Sequence, residues 1–335
     1  MPRVSVILPT YNRLDRLKRV LAALEEQSYP HDDFEVLVIS DGSVDGTNEY
    51  LLSVETSLRL TPILQENQGV AVARNSGLAQ ARGEIALFVD DDVVPGPCLL
   101  AEHLRIHDEE GDSVVVLGPM LTPAGFAMQP WVRWEQAMLL KQYREMLSGH
   151  WEPTARQFYT GNTSLARRHV LETGGFDPSF RRAEDVELAY RLADRGLRFI
   201  FNPQATAYHY AERSFEAWLA IAYVYGRNDV IFSHDRGQDW LLPTVMHEFG
   251  GRHPLVRGLT RLCLGRDVLS RAAIAGLRAL AMLGDRLKIE ALPRYSFSGI
   301  FNLRYYQGVA DGLGSAAAFW RQLGDGAGSA RLARS

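Results

Sequence analysis

An α/β domain on a mostly parallel mixed sheet, followed by a mainly helical C-terminal region, is the fold class that three observations predict. Short apolar runs of strand length alternate with amphipathic stretches through residues 1–212. Each run ends in a polar or glycine-containing turn, as strands joined by crossover helices do. From Ser214 onward the periodicity is almost wholly helical, so the expected domains are 1–212 and 213–335.

The first strand is VSVIL, residues 4–8, and Leu14, Leu17, Val20, Leu21 and Leu24 then recur at helical spacing, with Asn12 available as cap and Asp15 favouring the positive end of the dipole. FEVLVIS is the second strand and ends at Asp41. DGSVDGTNEY turns through two glycines into a short helix, TPIL forms a third strand before the loop QENQGV, and AVARNSGLAQA is the next helix. EIALFV is the fourth strand, so Asp90, Asp91 and Asp92 stand at its carboxyl end. SVVVLGPM reads as one further strand, Trp131–Met146 as a helix with exposed aromatics, and FYTGNTSLARR as a strand with a glycine turn. A short helix in HVLETGGFD stops at Gly174 and Gly175, and AEDVELAYRLADRG is a helix stopped by Gly196. LRFIFNP and ATAYHY complete the strands. In the helical remainder, FGGRHPLVRG breaks the pattern like a hinge, and the tail after Gly324 is expected to fray.

Composition narrows the function. A formal charge of −4 gives no global basic field, which argues against nucleic acid as a partner. Two distant cysteines form neither a disulfide framework nor a thiolate metal site. The stretch MPRVSVILPTYNR lacks the long apolar core and small-residue cleavage site of a signal peptide, so none is expected, and the apolar stretch AAIAGLRALAML is interrupted by Arg278 and closed by Asp285 before it is long enough to span a bilayer. The expected location is the cytoplasm, with peripheral contact at the inner face of the membrane left open.

Three adjacent carboxylates repel one another, so their place at a strand end calls for a cation or a solvated edge. In a sheet of this kind ligands bind beyond the carboxyl ends of the strands, which puts Thr10 to Asn12, Asp41 and Asp90 to Asp92 on one rim. Gly42 lets the backbone approach a ligand there. Arg74 follows the NQGVAVARN loop and suits a diphosphate, a bidentate bridge to the acidic rim, or a plain surface ion pair. Glu184 and Asp185 lie in a first helical turn, where dipole complementation alone would account for two acids.

VILPTYNR, VISDGSVDGT, NQGVAVARNSGLAQARGEIALFVDDD, GNTSLARR, GGFD and EDVELAYRL occur in an order that resembles the family 2 inverting glycosyltransferases, whose fold is the Rossmann-like GT-A fold. The resemblance covers residues 3 to 212. It implies a metal-dependent enzyme moving a sugar from a nucleoside diphosphate, with UDP-sugars the most frequent donors, to an acceptor hydroxyl, in glycan biosynthesis, with Mn2+ or Mg2+ as cofactor. By the same resemblance Asp92 is the direct metal ligand, Asp90 reaches the ribose or a metal-bound water, and Asp91 completes the motif. Asp41 contacts the nucleobase, and Pro9, Thr10, Tyr11 and Asn12 shape the base and ribose pocket. Asp185 is the general base and Glu184 positions sugar or acceptor, while His209 in ATAYHY is either a further metal ligand or a structural histidine. Arg191 is expected to hold the base helix through a neighbouring acid, Gly161 and Asn162 to wall the donor sugar or punctuate the fold, and Phe176 to plug the core.

Two other functions fit parts of the pattern. A sugar nucleotidyltransferase shares strand-ending aspartates but would carry a glycine-rich basic loop where this chain reads PTYNR. A non-catalytic binding subunit would keep the fold without needing both Asp92 and Asp185. In the C-terminal region, helical spacing favours core packing of the aromatics, and an acceptor lid, a homo-oligomer surface or a membrane-facing face stay open.

Overall fold

In a computed structural model, residues 1–332 are described, with side chains through Gly324; the tail expected to fray falls beyond those side chains, and residues 333–335 lie outside the described chain. The chain divides into two compact units, one of residues 1–127 with 138–211, the other of residues 128–137 with 212 onward.

In the first unit the strands β1 (Val4–Thr10), β2 (Phe34–Asp41), β3 (Leu60–Gln65), β4 (Ile85–Val89), β6 (Val114–Leu117), β8 (Asn162–Ala166) and β9 (Arg198–Phe201) form, among the described residues, a seven-stranded sheet in the order β3-β2-β1-β4-β8-β6-β9. Only β8 runs against its neighbours, β4 and β6. Every residue of β1, β2 and β4 is buried, as both-face coverage of a parallel sheet requires. The helices α1 (Leu14–Glu25), α2 (Thr47–Ser53), α3 (Val70–Gln80), α6 (Arg167–Glu172) and α7 (Glu184–Asp194) fall where the periodicity puts them. Leu17, Val20, Leu21 and Leu24 of α1 join the core with Val6, Leu8 and Val36 of the sheet.

Three parts differ from the sequence reading. SVVVLGPM is two strands: β6 ends at Leu117, and β7 (Met120–Leu121) joins β5 (Val93–Pro95) and β10 (Ala207–His209) in a second, three-stranded sheet. The chain leaves the first sheet at Gly118, where a Cβ would overlap the Ala205 carbonyl. Helix α4 (Leu99–Glu110) has no counterpart in the sequence reading, because its buried face carries His103 and His107 among its leucines and the imidazoles break the apolar stripe. The aromatics of α5 (Pro130–Leu147) are not exposed: Trp131 and Tyr143 are buried.

The second unit contains α8 (Phe215–Asp235), α9 (Leu241–Gly251), α10 (Pro254–Cys263), α11 (Asp267–Arg286), α12 (Ala291–Gly312) and α13 (Ala316–Leu332). Its aromatics are core, as their spacing suggests: Trp218 is fully buried with Phe215, Phe297, Phe301 and Trp134 around it. The break at FGGRHPLVRG is a corner between α9 and α10 inside this unit, not a boundary between units. Among the described residues no helix is long and apolar enough to cross a membrane.

Helices α8 and α12 meet at two glycines. A Cβ at Gly226 would overlap the Tyr305 carbonyl oxygen, and one at Gly308 the Tyr223 carbonyl oxygen, so the backbones touch where side chains would hold them apart. Gly308→Ala is expected to destabilise the chain by about 1–3 kcal/mol in denaturant unfolding. Gly276→Ala on α11 meets nothing within 4 Å and should be neutral or stabilising by up to about 1 kcal/mol.

Candidate active site

The carboxyl ends of β1, β2 and β4 form one rim, and each acid on it has a different environment. Asp91 turns inward: Thr10 Oγ1 donates to its Oδ2 at 2.8 Å and Arg13 Nη1 to its Oδ1 at 2.8 Å. Burial pushes its carboxyl up to about 6, with Arg13 opposing and the Asp92 charge adding. Arg13 also reaches Asp92 Oδ2 at 2.9 Å, and Arg16 lies 3.4 Å from the same oxygen. The repulsion within the acidic triplet is thus met by two arginines of the first helix and its lead-in, which the sequence reading did not select. Arg13 was visible as the last residue of PTYNR, but nothing in the spacing tied it to a strand 78 residues away.

Asn12 is not the helix cap. It adopts a left-handed conformation, φ 52°, its Oδ1 accepts from Val44 N, and the first residue of α1, Leu14, donates its N–H to Asp45 Oδ2 at 3.0 Å. Asn12, Arg13, Arg16 and Asp45 line an open depression of about 610 Å³. Pro9 is buried in β1, whereas Tyr11 is half exposed and presents its ring at the rim.

Asp41 is buried and anchors the lead-in to α3, accepting from Gln68 N at 2.9 Å, Gly69 N at 2.8 Å and Gln65 Nε2 at 2.8 Å. A carboxylate offers about four lone-pair directions, so it retains capacity for one more donor. Gly42, at φ 82°, is required beside it, because a Cβ would come within 2.7 Å of Asn67 N.

Arg74 joins the end of β4 to the start of α7. Its guanidinium donates to Asp90 Oδ1 at 2.9 Å and to Glu184 Oε1 at 2.6 Å, while its plane lies over the Phe176 ring. The side chain is 4% exposed, which excludes a plain surface ion pair. Phe176 fills the core against Phe88, and Asn75 holds the backbone of Phe176 through both its N–H and its carbonyl.

The acids of α7 sit at a strained helix start: Ala183, which precedes Glu184, has φ 60°. Glu184 is buried on Arg74, and Asp185 is half-buried, with Oδ1 accepting from Val186 N at 2.8 Å. Burial first, then the Glu184 charge, push the Asp185 carboxyl up to about 7 against the opposing pull of Arg74. Arg191 holds the helix as expected, pairing with Glu187 and donating to the carbonyls of Thr173 and Gly175.

His209 reaches the rim through the second sheet. It pairs with Val93 in the β5–β10 ladder, and its Nε2 lies 3.6 Å from Asp92 Oδ1. Among the described residues no group of three or more His, Cys, Asp or Glu comes together by itself as a metal cluster. A magnesium-like cation does not need one, because one or two protein carboxylates suffice where substrate phosphates complete the shell. Asp92 with His209 supplies a carboxylate and an imidazole of the kind that such an ion accepts.

Asn162 is not a sugar wall. It is fully buried, donating to the carbonyls of Pro119 and Ala205 and meeting His103 Nε2 at 2.8 Å. His103 and His107 are pushed down to about 4 by burial, so both are neutral hydrogen-bonding groups under β8. Gly161 does border the rim, since a Cβ there would lie 3.4 Å from Asp90 Oδ2.

Residues 5–175 match the sequence profile of glycosyl transferase family 2. The chain belongs to that family. Among its relatives, validoxylamine A glucosyltransferase of Streptomyces hygroscopicus subsp. jinggangensis is 35% identical over an alignment of 223 residues that covers 59% of this chain and 53% of that one. Chondroitin synthase of Escherichia coli is 26% identical over 62% of this chain and 34% of its own. The chain thus spans about half the length of the glucosyltransferase it matches. Among solved structures, a Pyrobaculum calidifontis mannosyltransferase in complex with GDP-Man and Mn2+ superposes with TM-score 0.62 at 22% identity, covering 92% of this chain and 87% of that one. S. aureus TarS 1–349 in complex with UDP-GlcNAc gives 0.55 at 20%, covering 94% and 93%. At these identities the likeness establishes the GT-A fold, and with it the family's mostly parallel sheet.

Within this family member the Arg74 bridge is expected to be a stability element as well as a site element. Arg74→Met strands Glu184 and Asp90, and should cost about 3 kcal/mol at neutral pH, the lower end for a buried pair because Asp90 is partly solvated.

Proposed function

We propose that this family 2 protein is an inverting glycosyltransferase that moves a sugar from a nucleoside-diphosphate sugar, UDP-linked for preference, to an acceptor hydroxyl, with Mn2+ or Mg2+ as cofactor. The observation that carries the reading is the chain of contacts Asp90–Arg74–Glu184 with Asp185 next to it: one buried cation ties the acidic strand end to the helical turn that carries a carboxylate of raised basicity. The family match, and relatives bearing the names of sugar transferases, support transfer of a glycosyl group. The GDP-Man and UDP-GlcNAc complexes of the fold neighbours support a nucleotide-sugar donor.

In this reading Tyr11 packs on the base, and Asp41 accepts its imide or amide proton with the capacity left after three internal bonds. Asp92, Asp90 and His209 would hold the divalent ion, which when bound neutralises charge on the departing diphosphate. Arg13 lines the depression and offsets the charge of Asp91 and Asp92 there. Asp185 takes the proton of the acceptor hydroxyl as its oxygen attacks the anomeric carbon in line. The bond to the diphosphate oxygen breaks on the opposite face, so configuration inverts, and the nucleoside diphosphate leaves without a separate acid. Glu184, fixed by Arg74, positions the reacting groups and keeps the carboxyl of Asp185 from ionising too easily.

Asp185→Asn is expected to lower transfer of a labelled sugar by about 10² to 10⁴, with UDP affinity in the presence of Mn2+ nearly unchanged. Near-normal turnover would remove Asp185 from the role. Stabilisation by UDP in a thermal-shift assay is expected only with Mn2+ or Mg2+ present, and chelation should abolish it. His209→Ala should weaken the metal dependence.

The base must be charged to act, so turnover at saturating donor should rise with pH through about 7. Glu184→Gln removes the neighbouring charge that raises Asp185, and should move that rise to lower pH. An unmoved profile in that variant would mean another group titrates.

A further inference from the structure

We infer that the outer face of α10 and α11 docks the second unit on an anionic lipid bilayer. On α11, Val268, Ala272, Gly276, Leu280 and Leu283, with Leu287 just past its end, recur every three or four residues and are all exposed. Val268 is 74% exposed, Leu283 51% and Leu287 58%, while the opposite side of the same helix buries Ser270, Ala281 and Gly284. The preceding helix adds Leu255, 77% exposed, and Leu262, 54% exposed. Single exposed leucines are ordinary, but a stripe along five turns of one helix, continued on its neighbour, places a large apolar strip in water.

The charge around the strip selects its partner. Residues 252–294 hold nine Lys and Arg against three Asp and Glu, and the rest of the chain has ten more acids than bases. Arg261, Arg271, Arg286 and Lys288 are exposed beside the apolar residues. Two copies of this face would bring like charge against like charge at short range, which disfavours a symmetric dimer. A bilayer interface with anionic headgroups accepts the leucines at the depth of the acyl boundary and the guanidinium groups at the phosphates. Because no described helix can cross the bilayer, α11 lies along the surface. Beside the strip, Arg271, Arg278 and Arg304 stand around a cleft of about 630 Å³ lined by Leu219, Ile274 and Met282, with Glu216 pairing with Arg278.

The test is flotation of the full chain with vesicles of phosphatidylcholine, alone or with part of it replaced by phosphatidylglycerol. Binding is expected to the phosphatidylglycerol vesicles only, and to weaken as salt is raised. Leu280→Glu with Leu283→Glu, and separately Arg271→Gln with Arg286→Gln, should each reduce binding at least about tenfold with an unchanged thermal midpoint, since all four side chains are exposed. A chain that stays in solution with both vesicle types overturns the inference, and so does a leucine variant that floats as well as the parent. A dimer in sedimentation equilibrium that Leu283→Glu dissolves, without vesicle binding, assigns the face to a second copy instead. Flotation needs no turnover, so failure here leaves the transferase reading standing.

Discussion

A single buried guanidinium holds the candidate site together. Arg74 projects from α3 between Asp90 at the end of β4 and Glu184 at the start of α7, segments about a hundred residues apart, and it has almost no contact with water. A charge so placed is tolerable only while its partners stay in position, so the strand end and α7 are fixed relative to each other by the same interaction that keeps Arg74 from being an uncompensated cation. Asp185 takes its raised basicity from this arrangement: the protein around it and Glu184 disfavour its charge, and Arg74 limits the effect.

The acidic triplet is three residues with three environments. Asp90 faces Arg74 and is partly solvated, Asp91 is turned into the protein on Thr10 and Arg13, and Asp92 lies among Arg13, Arg16 and His209. The three lie in the turn between β4 and β5, closed by the Val93 N–H on the Asp90 carbonyl, and the turn sends neighbouring side chains different ways, so each carboxylate is compensated on its own side. Asp92 has an imidazole near one oxygen and arginines on the other.

The second unit is organised by close packing rather than by charge. Gly226 and Gly308 let α8 and α12 touch, and the aromatic group around Trp218 fills the interior. With that core closed, the leucines on the outside of α10 and α11 are left with no internal use, and the basic residues among them give that face its character.

Much was legible from residues alone. The alternation of strands and helices in 1–212, the aspartates at strand ends, the glycine stops at Gly174 and Gly175, and the family motif order all follow from local chemistry, because periodicity and turn preference are properties of neighbours in the chain. Tertiary structure decided the pairings that no spacing encodes. It brought Arg13 to Asp91 and Asp92, turned Asn162 into a buried link to His103, and gave the capping of α1 to Asp45 in place of Asn12. His209 came beside Asp92 through a three-residue ladder between β5 and β10. Each of these contacts joins residues dozens to more than a hundred positions apart, and only the folded sheet brings such residues within reach of one another.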